Sequence, residues 1–232
     1  MDKSRGEGDF VRLPGFAAKL YDSLMRSSAT QQQYQEIAKD LVSGIGKGHL
    51  LDIGTGPGYL LLDVHKLKPE IELHGLDISP AMLEQANINL AGINVDLQLG
   101  TIESTSYTDA YFDTVTCSGS FYLWNNPGEG LEEIYRILKP GRSACLYETH
   151  RDYDEALLMD KMKVNLKGEN LLRRLLAPRF FFKQLAMTYT QAEIEKIIEG
   201  THFASNFSIE KVTIVDLPVW LRINLLDISE TV

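Results

Sequence analysis

The chain has 232 residues, enough for one large domain with a continuous core and too few for two large ones. Hydrophobic residues make up 44% and charged residues 24%, which is typical of globular proteins, and the formal net charge of −9 disfavours a nucleic-acid partner. No apolar run is long enough to span a membrane, and the charged first twelve residues do not resemble a signal peptide, so we expect a cytoplasmic protein without a membrane partner.

The N-terminal region predicts two helices, near residues 16–28 and 30–45. In the second, apolar residues recur at helical spacing until three glycines, from Gly44 to Gly48, end the pattern. We therefore expect residues 1–48 to form an N-terminal helical cap.

From residue 49 the pattern alternates between strand and helix. Ser79 before Pro80 is a typical helix start, and Lys139–Gly141 marks the stop of a later helix. This alternation predicts a doubly wound, mostly parallel, Rossmann-like α/β sheet over residues 49–150. The expected strands are 49–53, 72–77, 96–99, 114–118 and 143–148, and the expected helices are 59–66, 80–91 and 130–137.

The alternation stops after residue 150. Residues 151–190 are rich in Leu, Met and Phe, and we interpret them as a helical lid over the strand ends, with a homodimer interface as the alternative. Residues 191–232 predict a final helix and a β-hairpin with a tight corner at Pro218. An antiparallel last strand would complete a seven-stranded sheet.

The most specific motif is Leu51–Gly58, which reads LDIGTGPG: a buried strand, a glycine-rich turn and the start of a helix. The glycines let the turn fold tightly and let a ligand lie against bare backbone. Asp77 ends the next strand beside this turn, where its carboxylate can bind a ribose diol. A dinucleotide fingerprint would require a glycine at Tyr59, so the spacing favours another adenosine cofactor. The three turn glycines are Gly54, Gly56 and Gly58.

These residues resemble the class I S-adenosylmethionine-dependent methyltransferases. Leu51–Gly58 looks like their motif I, and Asp77–Met82 looks like the acidic strand end with its following helix. Tyr111–Val115 and Ile134–Gly141 look like later motifs of the ubiquinone/menaquinone-biosynthesis-like, small-molecule branch. The resemblance covers residues 45–150 well, and it implies S-adenosyl-L-methionine as the cofactor.

The resemblance also implies roles for individual residues. The glycine turn with Asp52 and Thr55 would line the methionine and adenosine parts of the cofactor, although Asp52 could instead only cap the turn. Asp77 would hold the ribose hydroxyls, with Ile78 and Met82 against the adenine. Further implied contacts are Thr101 (often Asp in the family), Ile102 and Glu103 at the adenine edge, Ser118 at the methyl-donor end, and Tyr21 closing over the cofactor from the N-terminal helix.

Residues beyond the later strands are candidates for acceptor binding. His150 follows the fifth strand, where ligands of open α/β sheets bind, and is our candidate general base; an ordinary loop histidine is the alternative. Arg151 adjoins it as a candidate substrate contact. The aromatic residues Phe121, Tyr122 and Trp124 follow the fourth strand and either wall an apolar or aromatic acceptor or pack the cap.

The sequence therefore predicts methyl transfer to a small, apolar or aromatic metabolite. An NAD(P)-dependent oxidoreductase is one alternative, disfavoured by the glycine spacing, and a non-catalytic cofactor- or partner-binding subunit is the other. Cys117 and Cys145 lie in strand-like runs without a third soft ligand, so no metal site is expected. The basic residues Arg173, Arg174, Arg179 and Lys183 are interpreted as the solvated side of the lid helices.

Overall fold

The computed structural model of the chain describes residues 27–168 and 171–227. The strands are β1 (Gly48–Ile53), β2 (Ile71–Asp77), β3 (Val95–Leu99), β4 (Phe112–Ser118), β5 (Leu138–Thr149), β6 (Phe207–Ile214) and β7 (Leu217–Leu226). The helices are α1 (Ser28–Ser43), α2 (Tyr59–Leu67), α3 (Pro80–Asn89), α4 (Pro127–Ile137), α5 (Glu155–Asn165), α6 (Leu171–Leu185) and α7 (Gln191–Glu199). The helix predicted near 16–28 lies almost entirely outside the described residues.

All seven strands form one sheet in the order β3-β2-β1-β4-β5-β7-β6. Strands β1 to β5 are parallel, and β7 is antiparallel to both of its neighbours. This confirms the predicted Rossmann-like fold with an antiparallel last strand. The order reverses between β1 and β4, and the crevice at such a reversal, outside the carboxyl ends of the strands, is where open α/β sheets bind ligands.

Several helices begin or end where the sequence supplies a cap. The Ser79 hydroxyl accepts from the Met82 N–H at 3.4 Å, with Pro80 at the first helical position of α3. Thr190 and Glu193 form a reciprocal capping box at the start of α7. These local devices fix the helix ends and hence the strand ends that carry the site.

The sheet separates two apolar clusters. One lies under α4 and α7 and includes the fully enclosed Leu131 and Ile194. The other lies under α1, α2 and α5 and includes Ile37, Leu61 and Leu158. Because both faces are covered, the central strands β1 and β4 are buried over most of their length, and the strand ends are the open part of the sheet.

Two details of the sequence prediction are wrong. Pro218 is the second residue of β7, and the hairpin turns instead at Val215 and Asp216, whose φ angles are 51° and 58°. A two-residue turn with positive φ at both positions matches the twist of paired strands, so it forms here despite its non-glycine residues. Lys139–Gly141 follows the end of α4 as expected, but it already belongs to β5.

The segment predicted as a lid contains α5 and α6. Leu158 and Met162 of α5 and Leu185 of α6 are buried in the second cluster, so both helices are anchored to the sheet. Within residues 27–168 and 171–227, no helix is both long and apolar enough to cross a membrane.

Candidate functional site

The glycine-rich turn joins β1 to α2 at the point where the strand order reverses. Gly54, Gly56 and Gly58 have φ angles of 69°, 52° and 80°, all in the left-handed region that favours glycine. A Cβ on Gly54 would overlap the Ser120 side chain, whereas one on Gly56 would have as its nearest neighbour only the Gly54 carbonyl oxygen, 4.0 Å away. Packing therefore requires Gly54, while Gly56 faces open space in which a ligand can approach the backbone.

Asp77 ends β2 beside this turn. Its Oδ2 accepts from the Gly56 N–H at 2.8 Å, and its Oδ1 accepts from the Ser79 N–H at 2.8 Å. A carboxylate has about four acceptor positions, so both oxygens retain capacity for further donors such as a pair of hydroxyls. Burial raises the pKa of Asp77, and the backbone donors partly offset this effect.

Asp52 lies buried on β1 close to Asp77. Its pKa is raised to about 7, mainly by burial, with a hydrogen bond from Thr55 lowering it and the charge of Asp77 raising it by smaller amounts. Thr55 itself is buried in the turn. Among the residues that the structure describes, no cation pairs with either carboxyl group, and a cationic ligand would favour their ionised forms.

The loop after β3 and the start of α3 hold the residues predicted to surround the adenine. Ile78 is an exposed apolar side chain next to Asp77, whereas Met82 and Ile102 are buried. Thr101 pairs with Ser104 in an isolated bridge.

Glu103 has a structural role between two loops. Its Oε1 accepts from the Asn125 N–H at 2.7 Å and the Asn126 N–H at 3.2 Å. It thereby ties the loop after β3 to the loop after β4. Tyr21, predicted to close over the cofactor, lies outside the described residues.

Buried polar atoms without hydrogen-bond partners collect at the ends of β4, β5 and β7. Within the described ranges they include Ser118 Oγ, Thr149 Oγ1, His150 Nε2 and Trp220 Nε1. Thr149 and Trp220 are direct partners across the β5–β7 pair. Because leaving such groups unpaired is costly, this end of the sheet is suited to a ligand that supplies hydrogen bonds. The sequence analysis did not identify Thr149 and Trp220. The two residues are far apart in the chain and become neighbours only because β5 pairs with β7.

The surroundings of His150 differ from those that the sequence analysis expected. It is buried, and its Nδ1 accepts from the Asp152 N–H at 3.1 Å, so the neutral ring carries its proton on Nε2. Burial lowers its pKa and keeps the ring neutral. In this arrangement Nδ1 is occupied and Nε2–H can donate a hydrogen bond, while the role of general base stays a prediction.

The aromatic residues after β4 are only partly available to a ligand. Phe121 is fully buried and packs against Trp124 and Tyr189, with ring centroids 4.8 Å and 5.7 Å apart. Tyr122 and Trp124 are half-buried. Phe121 is therefore a core residue here, and the other two remain candidates for the wall of an acceptor site.

A buried carboxyl group that the sequence analysis missed positions this rim. Glu148 Oε2 accepts from the Phe121 N–H at 2.7 Å, and its Oε1 accepts from the Thr149 N–H at 3.0 Å. Burial raises the pKa of Glu148 to about 8, and the backbone donors oppose this shift. Glu148 thus links the end of β5 to the short helical turn that begins at Phe121.

Arg151 anchors the chain after β5. Its Nη1 donates to the Thr188 carbonyl at 3.0 Å, and Nη2 forms an ion pair with Glu193. These contacts connect the end of β5 to the start of α7. The Arg151 guanidinium, predicted to contact a substrate, is therefore already bound to two groups of the protein.

Comparisons with known proteins place this geometry in context. Residues 50–141 match the family model described as a methyltransferase domain. An uncharacterized methyltransferase of Bacillus subtilis is 35% identical over 48% of this chain and 62% of its own length. The ubiquinone/menaquinone biosynthesis C-methyltransferase of Desulfotalea psychrophila is 33% identical over 63% of each chain. The chain thus spans less than two thirds of the length of these curated relatives.

A solved structure has the same fold. The protein from Methanococcus maripaludis, assigned as an S-adenosyl-L-methionine-dependent methyltransferase, superposes over all of both chains with a TM-score of 0.71 and 21% sequence identity. At this identity the likeness concerns the arrangement of strands and helices.

Proposed function

We propose that this chain is a class I S-adenosylmethionine-dependent methyltransferase, similar to the ubiquinone/menaquinone-biosynthesis enzymes, and that it methylates a small aromatic or apolar metabolite. The observation that carries this proposal is the Asp77 carboxylate, held 2.8 Å from the backbone of the open glycine turn. S-adenosylmethionine, when bound, supplies a methyl group on a positively charged sulfur that is already activated for displacement.

The residues at the first half of the sheet fit this cofactor. Gly56 offers bare backbone to open space, and Asp77 has acceptor capacity for the two ribose hydroxyls. The exposed Ile78 gives a flat adenine an apolar surface. Asp52 and Asp77 provide negative charge without a cationic partner in the described chain, which favours a cationic ligand. Thr55, Met82, Thr101, Ile102 and Ser118 remain proposed cofactor contacts.

The acceptor would bind beyond β4, β5 and β7. Tyr122 and Trp124 give an aromatic wall, while the unpaired Thr149 hydroxyl and the N–H groups of Trp220 and His150 suit an oxygen-bearing ring. A quinol-type acceptor combines both features, and one relative is named as a C-methyltransferase of ubiquinone/menaquinone biosynthesis. Because the donor is already activated, the protein's main task would be to align donor and acceptor.

We further propose that residues 151–190 close over the acceptor and exclude water. The anchoring of α5 and α6 by Leu158, Met162 and Leu185 leaves their outer surfaces free to face solvent. A lid of this kind would protect the reacting groups. On this reading the segment should gain protection from proteolysis when S-adenosylhomocysteine and acceptor are both present, at unchanged oligomeric state.

Thermal stabilisation with a ligand panel tests the proposed function. We expect S-adenosylmethionine and S-adenosylhomocysteine to raise the melting temperature and NADPH to leave it unchanged. Transfer of labelled methyl groups to a panel of phenols, hydroquinones and naphthoquinols would then identify the acceptor class. Stabilisation by NADPH alone would overturn the assignment, and cofactor binding without transfer to any aromatic acceptor would overturn the proposed substrate.

His150 is tested by replacing it with glutamine and with alanine. Glutamine can still donate a hydrogen bond but cannot take a proton near neutral pH, so a donor role predicts that His150→Gln retains turnover within about tenfold of the wild type. A general base would instead lose about 10²-fold to 10⁴-fold in both variants. The acceptor found in the panel serves as substrate for this comparison.

A further inference from the structure

The loop between β4 and α4 carries Tyr122 and Trp124, the two side chains proposed to wall the acceptor. A short helical turn, Phe121–Leu123, occupies the middle of this loop, and both aromatic residues are half-buried. Trp124 packs on Phe121, with ring centroids 4.8 Å apart, and on Gly130 of α4, where an added Cβ would come within 2.7 Å of the indole ring. The position of the short turn therefore determines where the aromatic wall lies.

Glu148 ties this turn to the sheet from inside the fold. The side chain is fully buried, and its Oε2 accepts from the Phe121 N–H at 2.7 Å. The Tyr122 N–H also donates to this carboxyl group. Its Oε1 accepts from the Thr149 N–H at 3.0 Å. Because Glu148 and Thr149 belong to β5, the carboxyl group fixes a three-residue turn to a paired strand of the sheet.

The two ends of the loop are held by separate contacts. At one end, the Ser120 hydroxyl donates to the Ile53 carbonyl at 3.0 Å. At the other end, Glu103 accepts from the Asn125 N–H at 2.7 Å. Loss of the Glu148 carboxylate would therefore release the turn between these ends without releasing the loop as a whole.

We infer that Glu148 is a positioning residue for the methyl acceptor: it fixes the turn Phe121–Leu123 and so sets how closely Tyr122 and Trp124 pack against the acceptor. This role rests on the proposed function, since it assigns control of acceptor binding to a buried side chain that contacts the wall from behind. Neither S-adenosylmethionine binding nor the transfer step requires Glu148, so its effect should be confined to acceptor affinity.

The strength of this link depends on the ionisation of the carboxyl group. An ionised carboxylate accepts from N–H groups at both oxygens, whereas protonation turns one oxygen into a hydroxyl donor that faces N–H groups. Burial raises the pKa of Glu148 to about 8, and the backbone donors oppose this shift. The turn should therefore be held more firmly above about pH 8 than below it.

Other titratable groups near this carboxyl group do not account for a change near pH 8. Cys117 of β4 interacts with Glu148, and burial raises the pKa of the Cys117 thiol far above this range. Burial lowers the pKa of His150, which is therefore neutral above pH 7. Asp52 of β1 interacts with Cys117 in turn, and its pKa of about 7 makes it the group to control for.

Fluorescence of Trp124 tests the link without reference to methyl transfer. The chain has two tryptophans, so Trp220→Phe leaves Trp124 as the single indole emitter. Because the ionised carboxyl group tightens the turn, we expect acrylamide quenching of Trp124 to fall as the pH rises, with a midpoint near pH 8. Adding Glu148→Gln should abolish this step and keep quenching high at every pH, since the amide accepts at one atom only.

The kinetics with the acceptor found in the panel test the positioning role itself. Glu148→Gln should raise the KM for that acceptor by about tenfold. Its kcat and S-adenosylhomocysteine affinity should stay within about threefold of the wild type, because only binding shared by ground state and transition state is lost. In the wild type the KM should fall across the same pH step as the quenching, whereas a merely structural loss would lower the active fraction and leave the KM unchanged.

Two control variants separate this carboxyl group from others. Glu133 of α4 accepts from the Thr105 N–H at 2.9 Å, a link of the same kind outside the loop, and Glu133→Gln should leave the quenching step and the acceptor KM unchanged. Asp52→Asn should retain the quenching step of Trp124. A step that survives in Glu148→Gln, or an acceptor KM unchanged in that variant, would overturn the inference.

The inference and the proposed function fail in different ways. If Glu148→Gln does not fold, the pH profiles of quenching and KM in the wild type still decide, and flat profiles would overturn the inference. A wild type that transfers methyl to no acceptor of the panel contradicts the proposed substrate instead. The quenching step then decides whether Glu148 controls the turn, and its absence would overturn that control.

Discussion

The two halves of the sheet edge, at β1 and β2 and at β4, β5 and β7, differ in what a ligand would supply. At the ends of β1 and β2, the polar groups are tied together, with Asp77 accepting from both Gly56 and Ser79, but two buried acids have no cation beside them in the described chain. At the ends of β4, β5 and β7, the missing element is hydrogen bonding, since Ser118, Thr149 and Trp220 carry buried unpaired atoms.

This difference indicates how the halves divide the work. The first half is preorganised by backbone hydrogen bonds and can recognise a cofactor without rearranging. The second half carries the cost of unpaired groups that a ligand could satisfy. The following predictions test this division from the largest expected effect to the smallest.

Removing the Asp77 carboxylate should cripple cofactor binding. A charged acceptor for two hydroxyl groups in a partly dry cleft contributes about 2–4 kcal/mol, so we expect S-adenosylhomocysteine affinity to fall by roughly 30-fold to 1000-fold in Asp77→Ala. Calorimetry measures this loss. Asp96→Ala is the control, because Asp96 lies near the other end of its strand beside His74. Affinity within threefold of the wild type in Asp77→Ala would contradict the cofactor assignment.

Substitutions at Gly54 and Gly56 should affect stability and cofactor binding differently. Gly54→Ala should lower the free energy of unfolding by about 2–3 kcal/mol, since its Cβ meets Ser120 in a backbone region that costs a further 1–2 kcal/mol. Gly56→Ala should incur only the backbone cost yet weaken cofactor binding at least tenfold. Denaturant unfolding and calorimetry measure the two effects. Gly92→Ala, at φ 89° with open space around it, is the control for the backbone cost alone. Normal cofactor affinity in Gly56→Ala would place the cofactor elsewhere.

Asp52 should make stability fall as the pH rises. Its pKa is about 7 in the folded chain and 3.8 in the unfolded chain, so between these values the folded chain holds a proton that the unfolded chain releases. Asp52 should therefore lower the stability of the wild type from about pH 4 to pH 7, and Glu148, whose pKa is about 8, should extend the decline to about pH 8. Asp52→Asn should lack the Asp52 contribution, so its stability relative to the wild type should rise by roughly 4 kcal/mol between pH 4 and pH 8. Denaturant unfolding at several pH values measures the stability of both proteins. If stability changes with pH equally in both, burial does not raise the pKa of Asp52.

A paired threonine substitution tests the second half. Thr149→Val removes an unpaired buried hydroxyl and should raise the stability of the unliganded chain by about 1 kcal/mol. Thr116→Val, in the adjacent strand, removes a hydroxyl that donates to the Cys145 carbonyl at 2.8 Å and should lower stability by about 1 kcal/mol. For a chain of this length each change shifts the melting temperature by about 2–4 °C. If both variants are destabilised equally, Thr149 already has a partner and the proposed acceptor subsite loses its main support.

Local sequence patterns predicted the geometry of the first half, at the ends of β1 and β2, well. The positive φ angles of the turn and the approach of Asp77 follow from glycine spacing and from an acidic residue ending the next parallel strand. Both signals lie within a short stretch of chain, where strand, turn and helix leave few geometric alternatives. The acceptor half was predicted less well. The sequence placed His150 just after the fifth strand, but no spacing rule indicates that the Asp152 N–H donates to its Nδ1.

The sequence by itself determined the sheet, the glycine turn and the acid at its edge, because hydrophobic periodicity and backbone sterics act between neighbours in the chain. Tertiary structure alone decided which polar groups are left without partners and which surfaces remain exposed. Thr149 and Trp220 become neighbours only when β7 pairs with β5, some 70 residues later in the chain.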